Sequence, residues 1–251
     1  MEIKVMSWNI WSGKNWKQII NFVKDNKIEL MGFQEVDNNL EETEFINITE
    51  KIAQSLGYNF AYSPSIENQK TGSFAEGQFG NCIISKFPIV DNKRHFLSLP
   101  EEWDGTAITE PRTLLETKIN VDDKIVCFMT LHLGYSKQFQ PTEIKLRQIE
   151  KVIEVIKNNN DLPIILTGDF NSTPENQGVK KIKQYLKDVD EKNTLKTWTM
   201  YDFKYHDWKV PAGLNFKIDY IFISEKIKHE TPTIDINKIS DHVPVIVKLE
   251  I

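Results

Sequence analysis

The sequence predicts a mixed α/β fold, with two β-sheets stacked face to face and helices outside. Three observations predict it. The first 60 residues alternate strand-like apolar runs with helical stripes in the order β-α-β-α-β. Four strand-like runs follow, then one long helical stripe and a strongly apolar strand. Two strands, one in each half, also end in a carboxylate. Strand 29–33 runs into Gln34-Glu35, and strand 164–167 into Gly168-Asp169-Phe170-Asn171. Ligands in α/β sheets bind at the carboxyl ends of strands.

Each element has its own signal. Residues 3–10 form a buried strand, 16–26 an amphipathic helix and 29–36 a second strand. A helix over 42–56 stops at Gly57, the residue type that ends helices. Residues 58–63 are a third strand. The Ser-, Gly-, Asn- and Gln-rich stretch 63–80 reads as a loop. Strands over 81–87, 89–97, 113–120 and 124–133 follow, with a hairpin turn at 121–124. The longest helix covers 141–159, with Ile144, Ile149, Val152, Ile153 and Ile156 on one stripe. Strand 162–168, a helix over 175–186, and strands 218–224, 228–236 and 243–251 complete the chain.

Composition sets bounds on function. A chain of 251 residues with 40% hydrophobic and 27% charged residues can bury roughly 70–75% of its unfolded surface, so no staples are needed. No linker or composition shift divides it, so residues 1–251 read as a single domain. The two cysteines, Cys82 and Cys127, sit in apolar runs as core thiols and give no disulfide or zinc spacing. Lys plus Arg number 31 against 36 Asp plus Glu, a net charge of −5. That argues against a protein that grips nucleic acid mainly through its backbone charge. Without a signal-like apolar segment or a run long enough to span a membrane, the expectation is a cytoplasmic protein. It is expected to have no membrane insertion and no obligate protein partner.

Polar residues recur where strands end. Asn9, Glu35, His132, Asp169, Asn171, Asp219, Asp241 and His242 all lie in or beside apolar runs, where a charge is costly unless paired or metal-bound. The oxygen donors among them suit Mg²⁺, with Mn²⁺ as an alternative, better than zinc. Such a cation beside two histidines suits phosphate-ester hydrolysis.

Six segments then resemble the endonuclease/exonuclease/phosphatase superfamily. They are Ser7-Trp8-Asn9-Ile10, Gln34-Glu35-Val36, Thr130-Leu131-His132-Leu133, Gly168-Asp169-Phe170-Asn171-Ser172-Thr173-Pro174, Ile218-Asp219-Tyr220-Ile221-Phe222 and Ser240-Asp241-His242-Val243-Pro244. They fall in the family's order and span nearly the whole chain. The resemblance implies a Mg²⁺-dependent phosphoesterase folded as a four-layered α/β sandwich, two mixed sheets face to face with helices outside. It implies Glu35 as the central metal ligand, with Asn9 and Asp241. Asp169 orients or deprotonates the attacking water, and Asn171 holds phosphate or water. His242, oriented by Asp219, binds phosphate or acts as acid/base, and His132 is a second imidazole on the phosphate. The exonuclease III-like branch usually carries an acidic residue where this chain has Trp11, and Tyr where it has His132. The chain is therefore more similar to the deoxyribonuclease I, sphingomyelinase and deadenylase side.

Two further features bear on the substrate. Arg112 stands just before a strand, placed either to fork onto a phosphate or to pair with Glu110 or Glu116. Lys217 reads either as a rim residue or as a solvated lysine. The aromatic-rich loop 197–216, with Trp208 at its centre, is either a platform for the substrate or packing over the sandwich end. The acidic loop Glu101-Glu102-Trp103-Asp104 disfavours a long polyanion. The reading is thus a Mg²⁺-dependent phosphoester hydrolase for a phosphorylated small molecule or short nucleic acid. The alternatives are a metal-dependent endo- or exonuclease on DNA or RNA, and a non-catalytic binding domain. The last is opposed by a competent residue at every catalytic position of the motif set.

Overall fold

The computed structural model describes residues 1–67 and 77–251. The first part of the chain supplies β1 (Glu2–Ser12), α1 (Trp16–Asn26), β2 (Leu30–Asn38), α2 (Ile48–Leu56), β3 (Asn59–Glu67) and β4 (Gln78–Ser85). The second supplies β5 (Ile89–Ser98), β6 (Arg112–Val121), β7 (Lys124–His132), α3 (Glu143–Lys157), β8 (Ile164–Asp169), α4 (Gln177–Ile182) and β9 (Lys187–Asp188). A small hairpin of β10 (Phe203–Tyr205) and β11 (Trp208–Val210) precedes β12 (Asp219–Ile223), β13 (Lys228–His229), β14 (Thr233–Ile234) and β15 (Val245–Glu250).

Two mixed sheets result. One has the order β13-β15-β1-β2-β4-β3, with β14 also on β15, and the other has β5-β6-β7-β8-β12-β9. Side-chain alternation explains how they stack. Val5, Leu30 and Ile83 point between the sheets and meet Leu115, Phe128 and Ile165. The opposite face of the first sheet, with Trp8, Met31 and Phe33, packs on Ile19 and Val23 of α1 and Ile52 of α2. The far face of the second, with Met129, Leu131 and Leu166, packs on Ile149, Val152 and Ile156 of α3 and Val179 of α4. The layers are helix, sheet, sheet, helix, as the sequence predicts. At Gly32 the sheets come so close that a Cβ would stand 2.2 Å from Thr167 Oγ1 and 2.6 Å from Thr130 Oγ1.

The differences from the sequence reading have local causes. The helix expected from residue 42 begins only at Ile48, because Glu41–Thr43 forms a separate 3₁₀ turn. Asn47 then caps the true start, its side chain accepting from the Glu50 amide at 3.0 Å. The expected loop at 63–80 is strand at both ends, since β3 runs on to Glu67 and β4 opens at Gln78; residues 68–76 lie outside the described residues. The strand expected over 228–236 is two short pieces, separated at Pro232, which has no N–H for the ladder. The helix expected over 175–186 is the short α4. Among the described residues, no helix is long and apolar enough to cross a membrane.

Candidate active site

Three strands bring the second sheet's polar groups into one row. Asp169 at the end of β8 is the register partner of His132 on β7 and of Asp219 on β12. Their side chains therefore share one face of the sheet and one end. In the first sheet, the β1–β2 and β2–β4 pairings both slip around Glu35. Phe33 and Val36, three apart, nevertheless both join the outer core. Glu35 is thus the extra residue of a β-bulge, in the left-handed region at φ 53°. Bulges of this kind turn one side chain out of the strand's alternation. Glu35 lies within 4.0 Å of His132 Nε2 across the gap between the sheets.

Asn9 ties the two sheets together at this end. Its Nδ2 donates to Glu35 Oε1 at 2.9 Å and to Asp169 Oδ2 at 3.1 Å, while its Oδ1 accepts from the Trp11 amide at 3.2 Å. Its side-chain carbonyl thus faces the Trp11 amide and its amino group the two carboxylates. Asp241 and His242 arrive from the loop before β15. Ser240 fastens that loop by donating to the Asn9 carbonyl at 2.8 Å, and the Trp8 indole donates to the His242 carbonyl at 3.0 Å. Trp198 donates to Asp241 Oδ2 at 3.1 Å.

The two imidazoles are held in different protonation states. His242 Nδ1 lies 2.9 Å from Asp219 Oδ2, and its Nε2 lies 3.7 Å from Asp169 Oδ2. Burial alone would lower its pKa. The carboxylates of Asp219, Asp241 and Asp169 outweigh burial and hold it well above the usual imidazole range. His132 is driven the other way. Burial, and then the neighbouring Arg112 and His242, hold its pKa well below the usual range. Arg112 Nη1 lies 3.0 Å from His132 Nδ1. A guanidinium can only donate, so the charged imidazolium form is excluded and His132 is neutral, with Nε2 3.5 Å from Asp169 Oδ2. Arg112 also pairs with Glu110 Oε1 at 3.1 Å, so one of its two expected uses is realised.

The acids are crowded. Burial raises Glu35 to about 7, helped by Asp241 and opposed by the Asn9 hydrogen bond. Burial, and then Asp219, raise Asp169 to about 6. Asp169 Oδ1 accepts from the Asn171 amide at 2.8 Å, in a turn that puts Asn171 at φ 44°. The Asn171 carboxamide reaches both His132 Nε2 at 3.0 Å and the Leu133 carbonyl at 3.1 Å. Ligand atoms of Glu35, His132 and Asp169 lie within 4.8 Å of one another, as do those of Asp169, Asp219 and His242. Buried, neighbouring oxygen donors that are protonated more readily than usual fit a hard divalent cation, which would replace those protons.

These groups open into a cleft of about 290 Å³ lined also by Glu110, Tyr135, Phe139, Phe203 and Tyr205. Asn9 and Asp219 sit directly behind it, each bonded to a lining residue. Trp208 is not on the cleft wall. It is buried in an aromatic cluster with Phe139 at 5.4 Å, Phe203 at 5.3 Å and Trp198 at 5.8 Å. Packing wins over the platform role for this residue, and its register partner Tyr205 lines the cleft instead. Lys217 is neither rim nor solvated: it is buried, 2.9 Å from both Asp188 and Asp190.

A family model described as the Endonuclease/Exonuclease/phosphatase family matches residues 6–242, from the strand that carries Asn9 to His242 itself. The chain belongs to this family. Solved structures agree in fold. A family member from Bacteroides vulgatus is 20% identical with a TM-score of 0.76, covering 100% of this chain and 99% of its own. A mannosyl-6-phosphatase from Bacteroides thetaiotaomicron is 20% identical with a TM-score of 0.72, covering 99% and 100%. The human Nocturnin catalytic domain, solved with a bound sulfate anion, is 16% identical with a TM-score of 0.75, covering 99% and 93%. Members of the family are hydrolases acting on phosphoester bonds. Sequence reasoning misses two groups that serve this site. Trp198 reads as one aromatic among many. Lys145 and Gln148 on α3 lie outside the apolar stripe that the sequence shows, yet both are buried.

Proposed function

We propose that the chain is a divalent-metal-dependent phosphoester hydrolase, with Mg²⁺ as the metal and Mn²⁺ able to replace it. The preferred substrate is a small or medium phosphorylated molecule. The observation that carries the reading is Asp169, a carboxylate with pKa about 6, bracketed by a neutral imidazole at 3.5 Å and a charged one at 3.7 Å.

Glu35 and Asp241 hold the metal, and Asn9 orients Glu35 by its hydrogen bond. When bound, the ion polarises the phosphoryl oxygen and stabilises the leaving oxyanion. Asp169 Oδ2 accepts a proton from the attacking water, a task suited to a base whose pKa lies just below neutrality. His242 Nε2, kept charged by Asp219, donates to a phosphate oxygen where negative charge grows. His132 faces the same phosphate from the opposite side, its ring held by Arg112 at Nδ1. Asn171 places its carboxamide beside the same position.

The nuclease alternative is less well supported. Arg112 is the one Lys or Arg on the cleft wall among the described residues, and Glu110 faces it. Such a wall suits one or two phosphates rather than a duplex backbone. The family neighbours include a phosphatase named for a sugar phosphate, which is in keeping with this size.

A panel of phosphomonoesters, phosphodiesters and duplex DNA, assayed with Mg²⁺, Mn²⁺ or chelator, tests the proposal. Expected are metal-dependent turnover of a small phosphoester and its loss in Glu35→Gln with the fold intact. Chelator-insensitive turnover, or near-normal activity of Glu35→Gln, sinks the metal assignment. Faster, strongly salt-dependent cleavage of duplex DNA promotes the nuclease.

A further inference from the structure

Helix α3 carries two buried polar residues one turn apart, Lys145 and Gln148, on the face that meets the second sheet. Neither belongs to the apolar stripe that explains the helix's packing, and neither touches the cleft. Lys145 Nζ donates to the Asn171 carbonyl and, at 3.3 Å, to Ser172 Oγ. Gln148 Oε1 accepts from the Gly134 amide at 2.9 Å, and its Nε2 donates to Ser98 Oγ at 3.2 Å. The two residues thus reach the two loops that leave the site, one just after His132 and one just after Asp169.

A buried lysine whose direct contacts are a carbonyl and a hydroxyl is costly. Among the described residues no carboxylate bonds it, and burial pulls its pKa down to about 7. Asp169, the nearest acid acting on it, partly offsets that burial. A methionine or leucine at this point of the helix would pack without such a cost. The carbonyl it holds belongs to Asn171, which sits at φ 44° and whose amide closes the turn onto Asp169 Oδ1. A non-glycine residue in that conformation persists where its surroundings over-determine it.

We propose that Lys145, aided by Gln148, is a positioning residue that pins the turn from Asp169 to Ser172. It thereby sets the Asp169 carboxylate and the Asn171 carboxamide at their working distances from His132. The inference rests on the reading of Asp169 and Asn171 as catalytic groups. It also explains why a helix on the outer layer keeps an ammonium in its buried face.

The test compares Lys145→Met with the wild type in three measurements. Lys145→Met is expected to lower kcat by roughly 10–100-fold, a range typical of a misplaced reacting group. KM should stay within about twofold, and the melting temperature should be unchanged or higher. Amide exchange at Asn171 should speed up by at least tenfold, a readout independent of turnover. Unchanged exchange at Asn171, or unchanged kcat in an enzyme that Asp169→Asn inactivates, overturns the positioning role. So does a loss of kcat that comes with a lower melting temperature and a raised KM, since that is the pattern of a purely structural residue. If Asp169→Asn itself stays active, the catalytic reading fails instead, and the exchange measurement still decides whether Lys145 holds the turn.

Discussion

Replacing Asp219 by asparagine tests how the site keeps one imidazole charged beside another that is neutral. The carboxamide of Asp219→Asn would retain an acceptor for His242 Nδ1, at the position now 2.9 Å away, so the ring keeps its orientation and only the charge is removed. At that distance and an effective dielectric near 20, the charge pair is worth about 6 kcal/mol as an upper bound, and it acts to raise the His242 pKa. Asp241 and Asp169 remain, so part of the upward shift survives. In the wild type, kcat/KM should rise with pH as Asp169 loses its proton near 6 and fall at higher pH as His242 loses its own. In Asp219→Asn the alkaline limb should move down by more than one unit. The maximal rate should drop about 10²–10⁴-fold, the usual worth of a positioned acid/base group. A double-mutant cycle with His242→Ala should be far from additive, because the two residues act as a unit. An unmoved alkaline limb, or independent additive losses, refutes the pairing.

Four more outcomes follow from the site's charges and walls. Glu35 is raised from 4.5 to about 7, Asp169 from 3.8 to about 6 and Asp37 from 3.8 to about 8, each chiefly by burial. A carboxyl with a raised folded pKa contributes stability that is full below its unfolded value and lost as pH climbs through the folded one. Metal-free protein should therefore melt higher at pH 6 than at pH 8. Glu35→Gln should gain on the order of 2 kcal/mol at pH 8, discounted for a side chain that is 26% exposed; a melting temperature that falls on mild acidification contradicts this. Tyr205→Ala, which strips an aromatic face from the cleft wall, should raise KM more than it lowers kcat. The wild-type KM should change little between low and physiological salt, and a steep salt slope would point to many phosphate contacts.

Much of the fold is legible because burial imposes short periods on the sequence. The stripes of α1 and α3 and the apolar runs of β1, β7 and β8 face one or two packed layers, and their spacing says so. The strand-end residues are legible for a related reason, since a polar group next to an apolar run has few roles. What the sequence hides is set by distant contacts. Whether Trp208 lines the cleft or leaves that to Tyr205 depends on the aromatic cluster of Phe139, Trp198 and Phe203 that buries it. The depth of Lys217 depends on Asp188 and Asp190, some 27–29 positions away. Lys145 looks like any surface lysine until β8's turn lies beneath it.

The same dependence on distant contacts accounts for the unfavourable features that meet at the end of the sandwich that carries the site. Trp11, Glu35 and Asn171 all have positive φ, and all flank the cleft's acids. Gly32 and the Asn9 bridge draw the sheets together there, so Glu35 from one sheet meets Asp169 and His132 from the other. Each local departure is costly alone, on the order of 1–3 kcal/mol for a strained backbone position. The stacked core supplies the stability that tolerates them, and none of the three lies in a segment whose packing needs it. Strain and buried like charges therefore have a common explanation as preorganisation. Burial, and then the neighbouring acids, raise these pKa values, which gives both a base poised near neutrality and a set of oxygens that favours a divalent cation over protons. A sandwich with regular strands and no bulge at Glu35 would be easier to fold, and would hold its acids too far apart to do either.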